Sequence, residues 1–138
     1  MSMKQLTLAI LKPDVQRFIN YRKYVESVMS DAQLQIIHNE EVFMTRDRAQ
    51  VFYAEHEGNG PLGVYILSGN DAISVWRSLL GPTKVYRTVV FEPNSLRGRF
   101  GLTDTRNGFH GSDSQENAFK EIKFFFPNFN CESILSDL

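Results

Sequence analysis

The run Arg106-Asn107-Gly108-Phe109-His110-Gly111-Ser112-Asp113-Ser114 sets one histidine among small and polar residues just before an amphipathic helix. Neutral imidazole is a competent nucleophile near neutral pH. Gly111 lets another group approach the imidazole closely, and Ser112 or Ser114 can cap the helix that follows, whose first amides favour anions. The run therefore reads as a nucleophile built into a phosphate site.

Such a residue must be carried by a scaffold, and the hydrophobic periodicity outlines one. Leu6 to Leu11 is a compact apolar run, a buried strand whose exit is fixed by Pro13 and which leaves Lys12 at its end. From Tyr21 the apolar residues fall at 21, 24, 25, 28, 29 and 32, which predicts a helix covering one face of a sheet. Leu34 to Phe43 is the next strand. Thr45 caps a predicted helix from Arg46 to about Glu55, ended by Gly58-Asn59-Gly60-Pro61. Leu62 to Leu67 is a third strand. Asn70 and Asp71 open a helix carrying Ala72, Ile73, Trp76, Leu79 and Leu80 on one face, closed by Gly81 and Pro82. Thr83 to Arg106 reads as a long irregular stretch, of a length that usually serves a function. A short strand at Asn107 to Gly111 and a helix from Ser114, with Ala118, Ile122 and Phe125 on one face, complete the pattern.

With 138 residues, 42% hydrophobic content and eleven Phe, the chain fits a single domain, 1–138, with a sizeable core. A net charge of -1 argues against a nucleic-acid binder, which ordinarily carries a basic surplus, and an RNA-binding reading also lacks the expected glycine and aromatic strand. The one cysteine, Cys131, cannot form an internal disulfide and reads as a small residue near the end of the chain. The start of the sequence has neither a secretory nor a transit pattern, and no apolar run is long enough to span a bilayer. The expectation is a soluble, cytoplasmic protein with no membrane partner, a mitochondrial location being the alternative.

Asn107-Gly108-Phe109-His110-Gly111-Ser112-Asp113-Ser114 resembles the active-site signature of the nucleoside diphosphate kinase family. The markers Lys12-Pro13-Asp14, Tyr53, Arg77 with Thr83 six residues on, Arg97-Gly98, and Glu121 follow in the family's order. Gly81-Pro82-Thr83 and Gly101-Leu102-Thr103-Asp104-Thr105-Arg106-Asn107, with extra residues between Thr83 and Arg97, are similar to its divergent type-6 branch. The resemblance implies an α+β fold: a ferredoxin-like βαββαβ antiparallel sheet with helices on one face, plus a long loop and a C-terminal helix.

It also implies a ping-pong transferase in which His110 takes the γ-phosphate of ATP or another nucleoside triphosphate and passes it to a diphosphate. Phosphoryl transfer requires in-line positioning and dispersal of charge, which Lys12, Tyr53, Arg77, Thr83, Arg97 and Asn107 can supply. By matching position, Lys12 and Asn107 hold the ribose and phosphate end, and Arg77, Thr83 and Arg97 hold phosphates. Glu121, with Ser112, accepts from the far ring nitrogen of His110 and fixes its tautomer. No cluster has metal-ligand spacing, so Mg²⁺ rides on the nucleotide phosphates, with Asp113 the one nearby carboxylate. The implied assembly is a homo-oligomer; the altered Thr83 to Arg106 loop leaves the family's hexamer open.

The sequence also departs from the family. After Tyr53, Glu57-Gly58-Asn59-Gly60-Pro61 runs directly toward the third strand, without the family's extra helix and its base-stacking aromatic. Stacking contributes about 1–3 kcal/mol per base, so a weakened, base-indifferent nucleotide site is expected. The alternative is a catalytically weak or inactive member acting as a nucleotide-binding or protein-interaction scaffold. The retained polar set favours the enzyme, because nothing structural requires arginines and a histidine to converge. His38 and His56 read as ordinary histidines, Trp76 as core, and Lys4, Arg17, Lys23, Arg46 and Arg48 as solvated charges.

Overall fold

The computed structural model describes residues 3–43, 60–81, 95–100 and 109–138. Its strands are β1 (Lys4–Leu11), β2 (Gln35–Val42), β3 (Leu62–Asn70) and β4 (Phe109–Gly111). Its helices are α1 (Pro13–Gln16), α2 (Ile19–Asp31), α3 (Ala72–Leu80), α4 (Leu96–Phe100), α5 (Gln115–Phe125) and α6 (Cys131–Ser136). The described strands form one sheet in the order β2-β3-β1-β4, with every neighbouring pair antiparallel. This is the ferredoxin-like arrangement.

β1 is apolar from Leu6 to Leu11 apart from the buried Thr7, because both its faces are covered. Ala9 and Leu11 join Val25 and Met29 of α2 and Ala72, Trp76 and Leu80 of α3 in one buried cluster. Leu6, Leu8 and Ile10 join Ile122 and Cys131 in a second, against which Phe119, Phe125 and Phe129 pack. The expected helices α2 and α3 thus share one face, and the chain's last helices cover the other. Alternate residues of one strand serve opposite clusters, as a period of two requires.

Several boundaries differ from the periodicity, each for a local reason. Tyr21 lies on the exposed side of α2, whose inward stripe is carried by Val25 and Met29. Asp71 does precede α3, but it makes no side-chain cap. It sits in the left-handed region (φ 53°) and grips the chain start instead: Met3 N–H donates to its carboxylate at 3.1 Å, and its own N–H donates to the Met3 carbonyl at 2.7 Å. Part of the stretch read as irregular is helical, since α4 buries Leu96 against the α3 face. α6 is an addition to the expected elements, started by Asn130, whose side chain accepts from the Ser133 N–H at 3.0 Å. The predicted helix from Arg46 to Glu55 lies outside the described residues, as do residues 107 and 108 of the predicted last strand.

Among the described residues, β4 pairs β1 at Ala9, Ile10 and Leu11. Beyond it, side chains from the start of α5 continue the ladder along β1. Leu8 N–H donates to Ser112 Oγ at 3.1 Å, Leu6 N–H donates to Gln115 Oε1 at 3.2 Å, and Gln115 Nε2 donates to the Leu6 carbonyl at 2.8 Å. Buried backbone groups need partners, and these two side chains supply what a longer strand would have. They also fix the height of α5 on the sheet.

Candidate active site

Phe109, His110 and Gly111 stand opposite Leu11, Ile10 and Ala9. Directly opposed residues of an antiparallel pair share a face. His110 therefore lies on the Ile10 face, beneath α5, while Phe109 and Gly111 face α3. α5 starts at Ser114, whose hydroxyl accepts from the Asn117 N–H at 3.1 Å, and Glu121 comes from its middle.

His110 Nε2 lies 3.1 Å from Glu121 Oε1, and Ser112 donates to the same oxygen at 2.7 Å. An ionised carboxylate only accepts, so the imidazole carries its proton on Nε2 and its lone pair on Nδ1. Ser112 is fully buried, and with the Leu8 N–H on its oxygen, its own proton is directed to Glu121. Of the two capping candidates, Ser114 takes that role and Ser112 becomes the brace of the carboxylate.

Arg97, on α4, is buried and donates through Nη1 to the Gly81 carbonyl at 2.7 Å, just past the end of α3. Its Nε is buried with no partner among the described residues. Burial, and then the charge of Arg77, pull the guanidinium down to about 10. It remains a cation at neutral pH, under the charge of a second cation and with one nitrogen lacking an acceptor among the described residues. Arg77, exposed on α3, also contributes to holding the Asp113 carboxyl below its ordinary range, after the larger effect of the hydrogen bond from Asn117 at 2.6 Å. The charge of Arg77 thus reaches both Arg97 and the residue three after His110.

Lys12 follows β1 directly and is buried. Its extended backbone (φ -74°, ψ 167°) turns the chain into α1, and its carbonyl accepts from the Val15 and Gln16 amides at 2.9 and 2.8 Å. It thereby sits two residues beyond the Ile10 that opposes His110. Tyr53, Thr83 and Asn107 lie outside the described residues. His38 Nε2 donates to Glu40 Oε1 at 3.1 Å on the edge strand and its ring stands edge-on to Phe126, well away in the sheet order from His110.

Two readings of the sequence change. The group that needs Gly111 to be a glycine is Trp76, on the face opposite the imidazole: a Cβ at 111 would stand 2.7 Å from its Cδ1. Trp76 is core, as its helical spacing implied, yet its indole N–H also donates to the His110 carbonyl at 3.0 Å. The only sequence signals for this were a lone Trp beside Arg77 and a glycine beside the histidine. Gln115, which locks α5 to β1, gave no signal beyond its place in the first turn of the helix.

The family model described as "Nucleoside diphosphate kinase" matches residues 5–131. A Xenopus tropicalis protein named nucleoside diphosphate kinase 6 is 43% identical, over 91% of this chain and 77% of its own length. An Ehrlichia canis nucleoside diphosphate kinase is 35% identical, over 96% of this chain and 99% of its own. The structure of the Aquifex aeolicus nucleoside diphosphate kinase superposes with a TM-score of 0.82 at 30% identity, covering 89% of this chain and 95% of that one. The chain belongs to the nucleoside diphosphate kinase family, and its activity is the phosphotransfer that defines that family. Within the family it resembles the type-6 branch.

Proposed function

We propose that this chain moves the γ-phosphate of a nucleoside triphosphate to a nucleoside diphosphate through His110. The observation that carries this is Glu121 Oε1 receiving both the His110 Nε2 proton and the Ser112 hydroxyl. With the proton held on Nε2, the Nδ1 lone pair attacks the γ-phosphorus in line, a N–P bond forms, and the bond to the β-phosphate oxygen breaks as the diphosphate leaves. The ring then carries positive charge, and the carboxylate facing Nε2–H stabilises it where it develops. In the return step a terminal oxygen of the acceptor diphosphate attacks the phosphorus, the N–P bond breaks, and neutral imidazole is restored.

Arg77 and Arg97 take the phosphates in this mechanism. A buried guanidinium whose Nε has no partner among the described residues, under the charge of a second cation, is relieved by an incoming anion, so binding and charge dispersal draw on the same groups. Lys12, with Tyr53, Thr83 and Asn107, completes the donor set. Among the described residues no group of three or more His, Cys, Asp or Glu could hold a metal ion by itself. That donor set fits Mg²⁺ carried by the nucleotide phosphates, where it would neutralise charge, and the exposed Asp113 would be the carboxylate available to it.

The short passage from Glu57 to Pro61 leaves the base without the family's aromatic platform, and ADP and GDP are expected to bind with similar affinity. The assembly proposed is a homo-oligomer, to be read by sedimentation of the full chain. No helix of the described residues is long and apolar enough to cross a membrane. The deciding experiment is incubation with γ-labelled ATP and Mg²⁺. It should give an acid-labile phosphate that His110→Ala abolishes with the fold intact. A folded wild type that takes no label, or a labelled His110→Ala, overturns the reading.

A further inference from the structure

Trp76 touches each residue of the strand that carries His110. Its indole N–H donates to the His110 carbonyl at 3.0 Å, its ring meets Phe109 edge-on at 6.5 Å between centroids, and its Cδ1 fills the space that a side chain at 111 would need. The ring is fully buried, and the residue after it is the exposed Arg77. Among the described residues β4 spans three positions and is tied to β1 at those three, so the indole contact adds to the sheet a constraint from the opposite layer. Its histidine ring is held from the opposite face by Glu121.

We infer that Trp76 is a positioning residue for the nucleophile: its indole N–H pins the main chain of His110 to α3, the helix that also carries Arg77. Helix α3 then sets two things at once, the height of the imidazole and the place of a phosphate-binding cation. Because both come from adjacent residues of one helix, α3 couples the height of the nucleophile to the place of that cation. Glu121 orients the ring, and Trp76 fixes the backbone from which the ring hangs. In-line transfer is sensitive to small displacements, so the loss of this bond acts on the chemical step.

This inference rests on His110 being the phosphate acceptor. The test uses the full chain with Trp76→Phe, and with an isostere at position 76, benzothienylalanine, in which sulfur replaces the indole N–H and the packing is kept. Single-turnover labelling from γ-labelled ATP should slow about three- to tenfold in both, the range of one ordinary hydrogen bond, with KM for ATP nearly unchanged. Trp76 is the only tryptophan. Its one indole N–H resonance in the wild type should therefore shift when His110 is phosphorylated. Labelling of the isostere at the wild-type rate, a change confined to KM, or an indole resonance indifferent to phosphorylation overturns the proposal. Failure of the parent reading looks different, because the folded wild type would then take no label or His110→Ala would still take it. If Trp76→Phe does not fold, the isostere decides alone.

Discussion

Ser112 Oγ donates to Glu121 Oε1 at 2.7 Å while accepting from the backbone of Leu8 at 3.1 Å. The carboxylate that faces the His110 ring is thus tied through one hydroxyl to the central strand of the sheet. Ser112→Ala leaves a buried N–H without its acceptor and the carboxylate without its brace. The stability loss expected in urea unfolding is about 1–3 kcal/mol. Labelling of His110 should slow as well, and an unaltered labelling rate would remove Ser112 from the mechanism.

Glu121→Gln keeps the shape of the contact and removes its charge. A charged hydrogen bond contributes about 1.5–3 kcal/mol, so kcat should fall about ten- to hundredfold. Because Glu121 faces the ring and not the phosphates, KM for nucleotide should change little. A rise in KM with kcat preserved would mean that the carboxylate serves binding.

Arg97→Lys retains a cation but not the planar fork. The variant should lose the bond to the Gly81 carbonyl and raise KM for nucleoside triphosphate about ten- to hundredfold, with a smaller effect on labelling at saturating nucleotide. The thermal stabilisation that ATP gives the wild type should shrink in parallel. Equal stabilisation of both proteins would place the phosphate elsewhere.

Gly111→Ala drives a methyl group into the Trp76 indole and Leu80. Overpacking of this kind costs about 1–3 kcal/mol. The loss should be smaller when Gly111→Ala is combined with Trp76→Phe, which a double-mutant cycle on unfolding midpoints measures directly. Additive losses would show that the indole is not what the added methyl meets.

Stability should decline in alkali for an identifiable reason. Burial, and then the 2.6 Å hydrogen bond to Glu26, raise the Tyr65 phenol well above the ordinary tyrosine range. The folded state therefore keeps this proton at a pH where the unfolded chain releases it. Stability contributed by the neutral phenol is fully present below the unfolded tyrosine value and falls above it, by at most about 1.4 kcal/mol per pH unit. Urea midpoints between neutral pH and the alkaline range should fall more steeply for wild type than for Tyr65→Phe. Parallel curves would assign the alkaline loss to other groups.

Much of the architecture was legible because it is written in local patterns. The continuous apolar run of β1, the helical spacing of Val25 with Met29, and that of Ala72, Ile73, Trp76 and Leu80 each specify an element and its inward face within a short window. α4 and α6 escaped because helices of five and six residues are too short for a periodicity to register. His110, Ser112 and Glu121 were legible as a motif, since nine residues on a strand, turn and helix hold the last two in reach of each other.

The sequence by itself determined the longer elements and, through its motif, the family, because periodicity and motif spacing act over a few residues. Tertiary structure alone decided which distant partners hold the His110 segment in place. Ser112 meets Leu8 across 104 positions and Trp76 meets His110 across 34, and no local pattern encodes such contacts. They arise when two helical layers close on opposite faces of one sheet, and the buried donors and acceptors left there must pair with whichever strand or side chain lies against them.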